Sequence, residues 1–181
     1  FHREVGGNFR LDPLQAALLR VKMGHYDSYS RARQANAAYY LERLSALEGV
    51  VPAAPAHCCC AKAQEEALAE ARIVLPACYE HNEHIWNQFT LRVRGPGQRD
   101  LLRAHLAERE IGSEVYYPLT MDQQECFAEL PARSREGNGV AHQLAGEVLS
   151  IPIYPELERE MQDWVVSAIG EFLEIETPVE E

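Results

Sequence analysis

The sequence predicts an α/β chain of the α+β sandwich kind: a small sheet covered by helices, with one long helix at its N-terminal end. Three observations carry this. Short runs of β-branched and aromatic residues alternate with stretches of 3.6-residue apolar spacing. Their order is long helix, strand, helix, strand, helix, helix, which suits a layered arrangement. The 181 residues, 46% hydrophobic and 25% charged, suffice to bury one ordinary core.

The opening Glu4-Val5-Gly6-Gly7-Asn8-Phe9-Arg10 reads as a loop. Asp12-Pro13-Leu14-Gln15 then announces a helix: Asp12 can cap, Pro13 fits the first helical position and Gln15 can complete a capping box. Apolar spacing continues from Leu14, Leu18 and Val21 through Tyr39, Leu44 and Leu47 to Gly49, with a kink expected near Gly24. Residues 51–72 read as loop, with a short helix over Ala61–Ala71.

Ile73-Val74-Leu75 is a strand, and His84–Val93 a second one, broken by Gly95-Pro96-Gly97. Arg99–Arg109 is an amphipathic helix with Leu101, Leu102 and Leu106 inward. Ser113–Tyr117 is a strand, so Tyr116 and Tyr117 should point to opposite faces, one into the core and one wet. Residues 119–138 are mostly loop, with a short helix around Gln123–Leu130. Val140, Leu144 and Val148 mark another helix. Ile151–Pro155 is an extended piece confined by its prolines to an edge or a strand end. Glu156–Glu174 is the last helix.

A net charge of -11 argues against nonspecific nucleic-acid binding, which needs clustered cations. The chain has no run of eighteen apolar residues, so no membrane span is predicted. Five cysteines in a spacing foreign to disulfide scaffolds predict a reducing, cytoplasmic home. The His57-Cys58-Cys59-Cys60 patch and the His81, Glu83, His84 group hold metal-ligand types, but adjacent cysteines without a C-x-x-C pair rarely all face one ion, His84 beside a strand start reads as a hydrogen-bonded structural histidine, and no metal is expected. The sequence has no nucleophile elbow, Walker loop or dinucleotide fingerprint.

Four segments are more specific together than apart. Gly6-Gly7-Asn8-Phe9-Arg10-Leu11-Asp12, running into Leu14–Lys22, comes first. His84–Arg92, Ile111–Leu119 and Leu149–Pro155 follow. In this order the set resembles the DegT/DnrJ-type nucleotide-sugar aminotransferases, across nearly the whole chain except about residues 53–72, which read as an insertion.

The resemblance implies the small-domain portion of a fold-type I enzyme that uses pyridoxal phosphate (PLP) and works as a homodimer with active sites between subunits. The implied reaction moves an amino group from an amino-acid donor to a keto sugar carried by a nucleoside diphosphate, as in polysaccharide or antibiotic sugar biosynthesis. Residues 1–50 would be the signature loop and linking helix, and 51–181 the small domain.

By the same resemblance Asn8 matches the asparagine that reaches the PLP phosphate of the neighbouring subunit, and Arg10 belongs to its motif. Tyr116, Tyr117 and Asp122 fall in the segment near the substrate. Asp122 stands where histidine is common, and a carboxylate there would repel a diphosphate.

The family's Schiff-base lysine lies upstream of Gly6-Gly7-Asn8. Neither Lys22 nor Lys62 matches it, and the large PLP-binding domain is absent from these residues. The chain by itself is therefore expected to contain no catalytic residue and to be inactive. Leu14, Leu18 and Val21 are expected to pack against that missing domain, and to drive self-association without it. Two alternatives remain: a noncatalytic binding or oligomerisation module on the same scaffold, and a fragment of a PLP-dependent sugar dehydratase.

Overall fold

The structure, a computed structural model, describes residues 3–53, 68–79, 81–129 and 137–175. The Cys58–Cys60 patch and the helix expected from Ala61 lie for the most part outside them.

The linking helix is two helices, α1 (Pro13–Met23) and α2 (Tyr26–Ser45), broken at Gly24 and His25 where the kink was expected. The capping box forms as read: Gln15 N–H donates to Asp12 Oδ1 at 2.8 Å, and Asp12 N–H to Gln15 Oε1 at 3.4 Å. None of the α1 residues is buried, and Leu14, Leu18 and Val21 all lie open. By contrast α2 buries Asn36, Ala37, Tyr40 and Leu44. The turn beyond it closes on Gly49 at φ +79°, a left-handed angle that favours glycine.

Four strands follow: β1 (Val50–Pro52), β2 (Ile73–Leu75), β3 (Phe89–Val93) and β4 (Val148–Ile151). They pair in the order β1-β2-β3-β4, parallel between β1 and β2 and antiparallel elsewhere. Strand β1 was read as loop. It can hold Pro52 because it is the edge strand and its last residue needs no further ladder donor. The expected strand over His84–Val93 begins only at Phe89. Before it the chain turns a corner at Trp86, φ +51°, whose ring is buried between His84 (centroids 4.0 Å apart) and Phe89 (5.4 Å).

Helix α3 (Gln98–Glu108) buries Leu102 and Leu106, whereas Leu101 is exposed, a correction to its expected inward place. Helix α4 (Gly139–Glu147) leads directly into β4, and Pro152 ends that strand. Helix α5 (Arg159–Glu174) buries Val165, Ala168, Ile169 and Phe172, with Met161 and Trp164 outward. The core lies where α2, α3 and α5 cover the sheet face carrying Phe89, Leu91 and Val93. The opposite face is more polar, with Thr90 bonded to Ser150 at 2.9 Å and Arg92 paired with Glu147. Among the described residues no helix is long and apolar enough to cross a membrane.

Candidate functional site

Two regions collect the residues singled out in the sequence. The first is the N-terminal loop. Arg10 takes a left-handed angle, φ +54°, and its N–H donates to Asn8 Oδ1 at 3.1 Å. This occupies the carboxamide oxygen and leaves its NH₂ as the donor end. The Phe9 ring folds back on Gly7, where a Cβ would meet Phe9 Cζ at 2.9 Å, so a side chain there would displace the ring. Asn8 and Arg10 are exposed. An outward amide donor beside a guanidinium fits a phosphate group by its chemistry.

The second region is an open cleft of about 1120 Å³ beside α4 and the start of β4. It brings together Tyr116, Tyr117 and Asp122 with Ala141, Leu144 and Ala145 of α4, a helix that begins well beyond them in sequence. The expected strand at Ser113–Tyr117 is reduced to a single bridge, Glu114 to Ser150, so the alternation of faces does not hold. Both tyrosines are exposed, and their rings meet edge to face at 6.0 Å. Neither enters the core, which corrects the expected division. Phe127, Leu119, Met121 and Leu144 complete an apolar lining, and Asn138 and Gln124 add amides.

Asp122 sits in a tight helical turn, Met121–Gln123, begun by Thr120. Its carboxylate is tied down on both oxygens. Thr120 Oγ1–H donates to Oδ1 at 2.6 Å, and His142 Nε2–H donates to Oδ2 at 2.7 Å. Only 10% of the side chain is exposed. The Thr120 hydroxyl above all, helped by His142 and Asn138 and opposed by desolvation, holds the carboxyl down to about 2. The stabilisation from this lowered value is fully present above the ordinary carboxylate value of about 4 and is lost as pH falls through about 2. Carbon-detected NMR titration should therefore show Asp122 ionised well into acid; a midpoint of about 4 or higher would refute the arrangement.

Thr120 and His142 were missed in the sequence. Thr120-x-Asp122 is a local pattern that could have shown the first. Nothing local marks His142, because it reaches Asp122 only through the packing of α4 against the loop. His84 serves the fold: its Nδ1 accepts the Trp86 N–H at 2.9 Å. Among the described residues no group of three His, Cys, Asp or Glu side chains is placed to hold a metal ion.

Residues 1–170 match the model of the DegT/DnrJ/EryC1/StrS aminotransferase family. A pleiotropic regulatory protein of Geobacillus stearothermophilus is 36% identical over 173 residues, covering 95% of this chain and 40% of that protein. The dTDP-3-amino-3,4,6-trideoxy-alpha-D-glucose transaminase of Streptomyces venezuelae is 33% identical over 174 residues, covering 96% and 38%. Among solved structures, S. venezuelae DesV in complex with a ketimine intermediate superposes with a TM-score of 0.69 at 33% identity, over 97% of this chain and 40% of that one. The chain thus spans about two-fifths of the length of these relatives. It belongs to the DegT/DnrJ/EryC1/StrS aminotransferase family.

Proposed function

We propose that these residues are the C-terminal, small-domain part of a PLP-dependent aminotransferase that transfers an amino group from an amino-acid donor to a nucleotide-linked keto sugar, and that they are inactive alone. The observation that carries the reading is the match along nearly the whole chain to a transaminase of a dTDP-linked amino sugar. Residues 1–50 form the signature loop and linking helices, and 51–181 the small domain. The enzyme works as a homodimer.

In this reading Asn8 and Arg10 hold the cofactor phosphate of the neighbouring subunit, with Asn8 donating its amide N–H and Arg10 adding charge. PLP, when bound, supplies the electron sink for the amino transfer. The Tyr116–Asp122 cleft receives the substrate. Its aromatic and apolar lining excludes water from one side of the ligand, and the amides of Asn138 and Gln124 offer polar contacts. None of the residues assigned here is a lysine, the group needed to hold PLP covalently and to shuttle the proton. The exposed apolar face of α1 packs against the remainder of the enzyme.

Two measurements test the reading. The chain, given PLP, glutamate and a dTDP-linked keto sugar, should form no amino sugar by mass spectrometry, and borohydride should fix no single stoichiometric PLP adduct. Appearance of product would refute inactivity. Adding dTDP-glucose should shift the NMR signals of Tyr116, Tyr117 and Phe127; unmoved signals at millimolar ligand would refute the cleft assignment.

A further inference from the structure

We propose that the cavity at the break between α1 and α2 is a binding site for a small acidic amino acid, a molecule with two carboxylates and one ammonium group. The site is separate from the Tyr116–Asp122 cleft, with which it shares no lining residue. It is also set back from the Asn8 loop, since α1 puts about 14 Å of helix between Pro13 and Lys22.

The cavity has a volume of about 440 Å³. Its walls include Lys22 at the end of α1, Tyr26, Tyr29, Ser30 and Arg33 on α2, and Glu156 after β4. Arg33 gives the space its chemistry. Its Nη1 is spent on the carbonyls of Trp86, Asn87 and Ile153, and these bonds fix the plane of the guanidinium. Its Nε and Nη2 donors have no hydrogen-bond partner among the described residues, and neither is shut off from solvent. Together they make one edge of the guanidinium, with two parallel N–H groups spaced for the two oxygens of a carboxylate. A carboxylate receptor is thus held in place, and no described residue supplies its counter-ion.

The two other charges at the cavity are open as well. The side chains of Lys22 and Glu156 enter no ion pair among the described residues. The hydroxyls of Tyr26, Tyr29 and Ser30 make no hydrogen bond there either. Two cations and one carboxylate around one space call for a ligand with the opposite set. Phosphate, or a dicarboxylate without an amine, would leave Glu156 facing a like charge. An acidic amino acid answers all three: one carboxylate on the open edge of Arg33, the other toward Lys22, and the ammonium toward Glu156. Held in this way, it ties α1 to α2 across the break at Gly24 and His25.

The test compares two ligands that differ only in the amine. The chain is titrated at constant ionic strength with glutamate and with glutarate, and the ring signals of Tyr26 and Tyr29 are followed by NMR. Glutamate should bind about threefold more tightly than glutarate. Glu156→Gln should reverse the order, weakening glutamate and tightening glutarate by about threefold each. Lys22→Ala should weaken both by a similar factor. Both substitutions lie on exposed positions, and circular dichroism checks that the fold is kept. The wild-type comparison needs no variant and decides the matter should either fail to fold. Equal binding of the two ligands, an order unchanged by Glu156→Gln, or no saturable shift at tens of millimolar overturns the inference. So does an equal shift produced by sodium chloride in place of the ligand.

Discussion

Phe89→Ala should cost about 3–5 kcal/mol of folding stability, a large share of what a domain of this size possesses. Phe89 is fully buried at the start of β3. It joins three structural layers at one point. Its ring lies 5.3 Å from that of Tyr40 on α2 and 5.4 Å from that of Trp86 at the corner before the strand. Its backbone pairs with Ile151 at the end of β4. Removing the ring deletes transfer free energy and leaves a cavity whose walls are other large rings, which relax poorly into it. Urea unfolding followed by Trp fluorescence would measure the change. A loss below about 1 kcal/mol would show that the neighbours can collapse, contrary to the packing described.

Arg33→Ala should cost about 2–4 kcal/mol, far more than an ordinary surface change. Arg33 Nη1 donates to three carbonyls: Ile153 at 2.7 Å, Trp86 at 3.1 Å and Asn87 at 3.4 Å. One guanidinium on α2 thus ties the corner before β3 to the segment after β4. These segments carry no ladder of their own at these positions, so the carbonyls depend on that donor. The control is Arg31→Ala, on an exposed position of the same helix, which should change stability by less than about 0.5 kcal/mol. Equal effects of the two substitutions would remove Arg33 from this bridging role.

The N-terminal loop and the helices that follow were legible in the sequence because their signals are local. Asp12, Pro13 and Gln15 act within one turn, and the capping box they form needs nothing from the rest of the chain. The break at Gly24 and the strand at Ile73–Leu75 were equally readable. Strand β1 was not, since Pro52 speaks against a strand unless the strand lies at an edge, and edge position is a property of the sheet. The corner at Trp86 was hidden for a similar reason. Ile85, Phe89, Leu91 and Val93 alternate well enough to suggest one strand, while the aromatic stack and the Arg33 bridge bend the chain away from it.

For the candidate site the division runs between identity and arrangement. The ordered motifs by themselves determined the family, the small sheet under its helices, and the segments holding Asn8, Arg10, Tyr116, Tyr117 and Asp122. Only the tertiary structure decided that the last three share one cleft, that both tyrosines are exposed, and that the Asp122 charge is held by His142. The physical reason is range. Caps, turns and apolar periods are written over a few neighbouring residues, whereas the Asp122–His142 contact spans 20 residues and exists only once α4 has packed beside the loop.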